Sequence, residues 1–184
     1  EKNYAQGSVT QTTGQLDMSI SGHGFFQITL PDGTLAYTRD GSFTLDNQGN
    51  VVTASGYPLS PAVTVPAGTQ SVTIGTDGVV TALSAANKTT QIGQIQLADF
   101  VNEEGLQPLG NNLLIESAAS GAPQTGTPGL NGLGTVQQGT LETSNVNTVT
   151  ELVNMIECQR AYEMNSKAIS TTDQMLEYLT TNLS

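Results

Sequence analysis

His23 is the only histidine in the chain and stands between Gly22 and Gly24 in the stretch "GHGFF". Imidazole is the side chain best suited to moving protons near neutral pH, but general acid–base work needs a second group within hydrogen-bond reach. The sequence nominates no such group, so His23 reads as a turn or surface histidine. Cys158 is the single cysteine and cannot form an internal disulfide. Its place within a run of helical spacing marks it as a small buried or half-buried packing residue rather than a thiolate nucleophile. Glu103 and Glu104 in "VNEEGL" are a formal carboxylate pair, yet a turn-like setting favours two solvated acids. "DNQGN", residues 46–50, resembles a calcium loop only superficially, because the alternating acidic ligands and the Glu at the twelfth position are missing. "GHGFFQ" lacks the third glycine of a dinucleotide fingerprint, no phosphate loop occurs, and one histidine without a Cys-x-x-Cys pair cannot build a common zinc site. No catalytic, cofactor-binding or metal-ligating residue is expected, no cofactor follows, and an enzyme is the weakest reading.

The residues whose spacing does carry a signal lie at the other end. Met155, Tyr162, Ile169 and Leu176 recur every seven residues, and Leu152, Ile156, Met175 and Leu179 widen that stripe on neighbouring positions. The alternate heptad positions, Gln159, Ser166 and Asp173, are polar. A two-stranded zipper would therefore be weak, and a bundle with other helices fits better. Asn147 or Thr148 can cap this helix, with Glu151 completing a capping box after Thr148. The spacing predicts a helix over 149–179, roughly 45 Å long at 1.5 Å per residue. Such a helix exceeds what a small domain needs to cover itself, and these eight apolar residues are the candidate assembly interface.

Upstream, from Leu16 to about Ile115, short β-branched and aromatic runs alternate with turn chemistry: "LPDGT", "TRDGS", "DNQGNVV" and "GTDGVV". Gly33, Gly41, Gly49 and Gly78 are expected to supply hairpin geometry, with "RDGS" a type I′ turn. Phe25 and Phe26, and Tyr57 beside Pro58, are expected to pack the interior. The fold class predicted is mainly β, a turn-rich antiparallel domain plus a long C-terminal α-helix. Its divisions are an extended polar lead-in over 1–15, the β domain over 16–116, a Gly- and Pro-rich linker or ordered irregular loop over 117–134, an extended segment over 135–147, and the helix over 148–184. On this reading a β body ending near Ile115 folds by itself.

Composition narrows the partners. The net charge of −11, from 16 acidic against 5 basic residues, repels phosphate backbones and excludes nucleic acid as a natural partner. No apolar run approaches the roughly 18 to 20 residues needed to span a bilayer, so no membrane insertion is expected. "EKNYAQGSVTQTT" lacks the basic and apolar regions of a signal peptide, and the abrupt polar start suggests a piece of a longer protein.

Three blocks resemble the axial proteins of the bacterial flagellum, most closely the distal-rod branch: "LDMSISGHGFFQI", "AYTRDGSFTLDNQGNVVTASGYPL" and "GLNGLGTVQQGTLETSNVNTVTELVNMIECQRAYEMNSKAISTTDQML". The resemblance implies a structural subunit, not an enzyme, that stacks helically with its own copies into a hollow, torque-transmitting tube. Terminal helices would form the inner layers and the β domain would lie outside. It further implies proximal rod and hook subunits as neighbours, L- and P-ring proteins around the rod, and passage through the flagellar export apparatus without a cleaved signal peptide. Family members carry an N-terminal helix, which would precede Glu1. A secreted β-rich adhesin module is the competing reading from composition, and the terminal heptad stripe is what argues against it.

Overall fold

Short β-branched runs broken every few residues by Gly, Asn and Asp give short strands. The computed structural model of the chain describes residues 4–182, with side chains as far as Tyr178. The strands are β1 (Val9–Gln11), β2 (Met18–Ser21), β3 (Phe25–Thr29), β4 (Leu35–Thr38), β5 (Phe43–Leu45), β6 (Val51–Thr53), β7 (Thr69–Ile74) and β8 (Val79–Ser84). They continue as β9 (Thr89–Gln94), β10 (Leu97–Asp99), β11 (Gln107–Gly110), β12 (Leu113–Ile115), β13 (Gln124–Gly126), β14 (Thr135–Gln138) and β15 (Thr140–Glu142). A single 3-10 turn covers Glu103–Gly105, and α1 (Thr148–Asn182) comes last. The chain divides into two compact units, residues 1–145 and 146–184.

The first unit is an antiparallel body. Its largest sheet runs β11-β12-β4-β3-β10-β13, beside a β7-β8-β9 sheet and the two-stranded pairs β1-β15, β14-β2 and β5-β6. Strand β3 explains the imperfect alternation of "FFQITL", because both of its faces are covered. Phe26 and Ile28 enter the main core with Met18, Ile20, Leu97 and Val136, while Phe25 joins Tyr37, Ala98, Phe100 and Leu106 on the opposite face. Both phenylalanines are buried, as the sequence predicts, and Tyr57 is half-buried against the main core. Edge-to-face ring pairs pin each face: Phe26 on Phe43 at 5.3 Å and Tyr37 on Phe100 at 4.8 Å between centroids.

Three of the four predicted glycine turns close hairpins. Gly33 joins β3 to β4, Gly49 joins β5 to β6 and Gly78 joins β7 to β8, with φ of 83°, 83° and 78°. "TRDGS" does not. It carries the chain from β4 into a different sheet, and Gly41 is not among the left-handed residues. Glycine is required there by crowding instead: a Cβ at Gly41 would lie 1.5 Å from the Met18 carbonyl oxygen, and Met18 N donates to Gly41 O at 3.1 Å. Gly41→Ala should therefore destabilise the body by about 2 to 4 kcal/mol, since backbone must move. Gly33→Ala, with open space around it, should cost about 1 kcal/mol through φ alone. Urea midpoints of the two variants check this, and equal losses would return Gly41 to the turn reading.

Within "TQIGQIQLADF" the chain passes from β9 into β10 of another sheet, at Ile95, which is buried and whose N donates to Gly78 O. The span 117–134 packs into the body. Strand β13 pairs with β10 over Leu97↔Gly126 to Asp99↔Gln124, Ser120 and Leu133 are buried, and Gly134 N donates to His23 O at 2.7 Å. Small residues let this span pack by backbone hydrogen bonds and close approach instead of apolar bulk. Residues 1–15 are likewise more than a lead-in, since β1 pairs with β15 from Val9↔Glu142 to Gln11↔Thr140. Glu1, Lys2 and Asn3 lie outside the described residues.

Candidate assembly surface

Helix α1 begins where its cap chemistry predicts. Asn147 Oδ1 accepts from Val149 N at 3.0 Å and from Thr150 N at 3.4 Å, and the Asn147 carbonyl accepts from Glu151 N. Asn147 is thus the cap, satisfying donors that a helix start leaves without intrahelical partners. With no Gly or Pro inside, the helix continues for 35 residues. Every described side chain from Thr148 to Tyr178 is exposed. The predicted stripe is exposed with them: Met155, Tyr162, Ile169 and Leu176 at 61%, 77%, 65% and 56%, and Leu152, Ile156 and Met175 beside them. Leu179 lies on the helix, but its side chain falls outside the described residues. Cys158 is exposed in the single chain, as its neighbours on the stripe are.

At the end of the first unit, side chains far apart in sequence hold the terminal strands in place. Arg39 Nε donates to Glu142 Oε2 at 3.2 Å, and its Nη1 donates to the carbonyls of Gly22 and Gly24 at 3.0 and 2.9 Å. The guanidinium also lies 5.8 Å from the centre of the Phe25 ring, and Glu142 Oε1 accepts from Gly7 N at 2.8 Å. One ion pair therefore joins β15, the "GHG" loop and the N-terminal segment. Gln138 does similar work, accepting from Ile74 N and donating to Val72 O, so that one amide from β14 satisfies two groups on the edge of β7. None of these links is visible to a reading that searches for motifs. The available hint is that Arg39 is one of only 5 basic residues in the chain.

Arg39→Met should lower stability by about 2 to 3 kcal/mol, because the largely buried Glu142 carboxylate loses its counter-charge. Adding Glu142→Gln should recover part of that loss. A double-mutant cycle from urea denaturation measures the coupling, and a value below about 0.5 kcal/mol would reduce the pair to an ordinary surface contact.

Of the residues first weighed for chemistry, the structure brings together only His23 and Glu103 among the described residues. His23 is well exposed, with Nδ1 3.6 Å from Glu103 Oε1. Tyr4 packs edge-on against Phe25, and burial, followed by the charges of Glu103 and Glu104, raises its phenol above the ordinary value. Asp46 spends its carboxylate on the β5–β6 turn, accepting from Gln48 N, Asn50 N and Asn50 Nδ2. Those hydrogen bonds, led by Asn50, hold its carboxyl below the usual range. At Asp40 burial pushes upward, but hydrogen bonds from Ser42 and Asn112 prevail and the net shift is downward. These carboxylates organise turns.

Comparison with known proteins gives a consistent picture. Residues 19–82 match the family described as flagellar hook protein FlgE/F/G D1 domain, and residues 137–183 match flagellar basal body rod FlgEFG protein C-terminal. The flagellar basal-body rod protein FlgG of Buchnera aphidicola subsp. Schizaphis graminum is 53% identical over 180 residues, 97% of this chain and 69% of the relative. FlgG of Bacillus subtilis is 44% identical over 178 residues, 94% of this chain and 67% of the relative. The flagellar basal-body rod protein FlgF of Caulobacter vibrioides is 34% identical over 181 residues, 95% of this chain and 68% of the relative.

Proposed function

The chain belongs to the flagellar basal-body rod proteins, structural subunits of the basal body, and from that membership we propose that it is a distal-rod subunit, stacked helically with its copies into a hollow shaft that carries torque from motor to hook. Higher identity to FlgG relatives than to the FlgF relative supports this placement, and nothing favours the adhesin reading. In the proposed arrangement α1 is an inner-layer element whose stripe packs against helices of neighbouring copies. Leu152, Met155, Ile156, Tyr162, Ile169, Met175, Leu176 and Leu179 form that contact.

The observation that carries the reading is the exposed stripe on a helix of 35 residues. Large apolar side chains gain roughly 1.5 to 3 kcal/mol each on burial, and a lone helix is marginal in water. Ordered neighbours along a shaft would supply the cover. The body would face outward, toward the L- and P-ring proteins, with proximal rod and hook subunits at the two ends. Subunits would arrive through the flagellar export apparatus without signal cleavage, and no catalytic step is assigned. The test is complementation: the full-length protein should restore hooks to a motile bacterium lacking its own FlgG. Rescue of a FlgF-deficient strain instead would move the chain to another position in the rod.

A further inference from the structure

Asn131 and Gly132 are the chain's only Asn-Gly pair, and they occupy the centre of a tight turn in which Leu133 N donates to Leu130 O at 3.0 Å. Both residues are left-handed, with φ of 55° and 84°, and both are exposed. This is the type I′ geometry that Asn-Gly favours. A Cβ built at Gly132 would meet nothing within 4 Å, so no neighbouring group crowds the turn at that residue.

We propose that Asn131 is the site at which this protein deamidates and forms isoaspartate, a covalent modification written into the turn between β13 and β14. The Gly132 backbone nitrogen attacks Asn131 Cγ, a C–N bond forms, and the Cγ–NH2 bond breaks. Ammonia departs, carrying the proton taken from Gly132 N. Water then adds to one of the two carbonyls of the resulting succinimide. Opening at Cγ gives Asp, and opening at the backbone carbonyl gives isoaspartate. The sequence consumes one water and releases one ammonia, with no oxidant or reductant.

Selectivity comes from what the other asparagines are doing. Asn50, Asn102, Asn112 and Asn145 each donate their side-chain amide to an acceptor, namely Asp46, Ala119 O, Asp40 and Ala5 O. Asn147 Oδ1 caps α1. Asn87 and Asn111 share the left-handed backbone but precede Lys88 and Asn112, whose Cβ atoms obstruct attack by the following nitrogen. At Asn131 the amide is unengaged among the described residues and the next residue has no side chain. The product matters locally, because isoaspartate inserts an extra backbone carbon two residues from buried Leu133 and three from Gly134, whose N donates to His23 O at the entry to β14. A long-lived assembly would accumulate the change.

The purified chain, held at mildly alkaline pH, is digested at intervals and mapped by mass spectrometry, with isoaspartyl methyltransferase and labelled S-adenosylmethionine as the isoaspartate probe. The peptide containing Asn131 should gain the mass difference between OH and NH2 at least about tenfold faster than any other asparagine peptide. Asn131→Gly, which keeps the left-handed backbone, should abolish the methylation signal. Gly132→Ala should slow conversion several-fold. Conversion at Asn131 no faster than at exposed Asn47, or methylation persisting in Asn131→Gly, would overturn the proposal.

Discussion

Ile169→Asp in the full-length protein should leave a motile bacterium without hooks while the protein is still made and exported and its β body melts at the wild-type temperature. Ile169 is 65% exposed in the single chain, so a carboxylate there stays hydrated and costs the isolated fold little. In a packed bundle the same carboxylate would be stripped of water without a counter-charge, at a cost of several kcal/mol per copy. The stripe is long enough for that to matter. From Met155 to Leu176 it climbs about 32 Å at 1.5 Å per residue, and its drift of roughly 20° per seven residues keeps it on one side of the helix. Because every copy in a helical assembly repeats the substitution, the penalties recur at each contact. Lys167→Gln, about 160° around α1 from Ile169, is the control and should swim normally. Electron microscopy of basal bodies and swimming assays read the outcome, and normal hooks in the Ile169→Asp strain would sink the claim that this helix packs inside a shaft.

Helix α1 was the most legible element, for physical reasons. Period 3.6, no internal Gly or Pro and a cap residue at the start all act within the element itself, and the observed Thr148–Asn182 lies within a few residues of the predicted bounds. Hairpins closed by Gly33, Gly49 and Gly78 were legible for the same reason, since a left-handed residue is demanded by the turn alone. Gly41 was misread because its need arises from Met18, a residue outside the turn. Arg39 and Glu142 stand 103 residues apart and meet only because β1, β15 and the "GHG" loop converge, so no local pattern announces them. The stripe on α1 can be read as a surface that wants cover, but on the proposed reading that cover comes from helices of neighbouring copies, which no pattern within one chain can show.

A chain cut after Ile115 should fail to fold, whereas one cut after Asn145 should melt cooperatively within a few degrees of the intact protein. The Gly- and Pro-rich composition of 117–134 suggests a dispensable joint, but the core lies partly beyond it. Among the described residues strand β14 is the only strand paired with β2, over Thr135↔Ser21 to Gln138↔Met18, and Val136 is fully buried against the main core. Cutting at Ile115 removes Leu133 and Val136, uncovers Met18 and Ile20, and takes β13 from the edge of the large sheet. It also takes Glu142 from Arg39 and β15 from β1. Several large apolar side chains at roughly 1.5 to 3 kcal/mol each amount to the whole stability typical of a domain, about 5 to 15 kcal/mol. Cutting at Asn145 removes none of these, because every one of those partners lies within residues 1–145. Thermal melts followed by near-ultraviolet circular dichroism separate the cases: residues 1–115 should show no sigmoidal transition and residues 1–145 a single one. A cooperative melt for residues 1–115 would mean that β2 and β3 hold their places without β14, and that the 117–134 span is a joint after all.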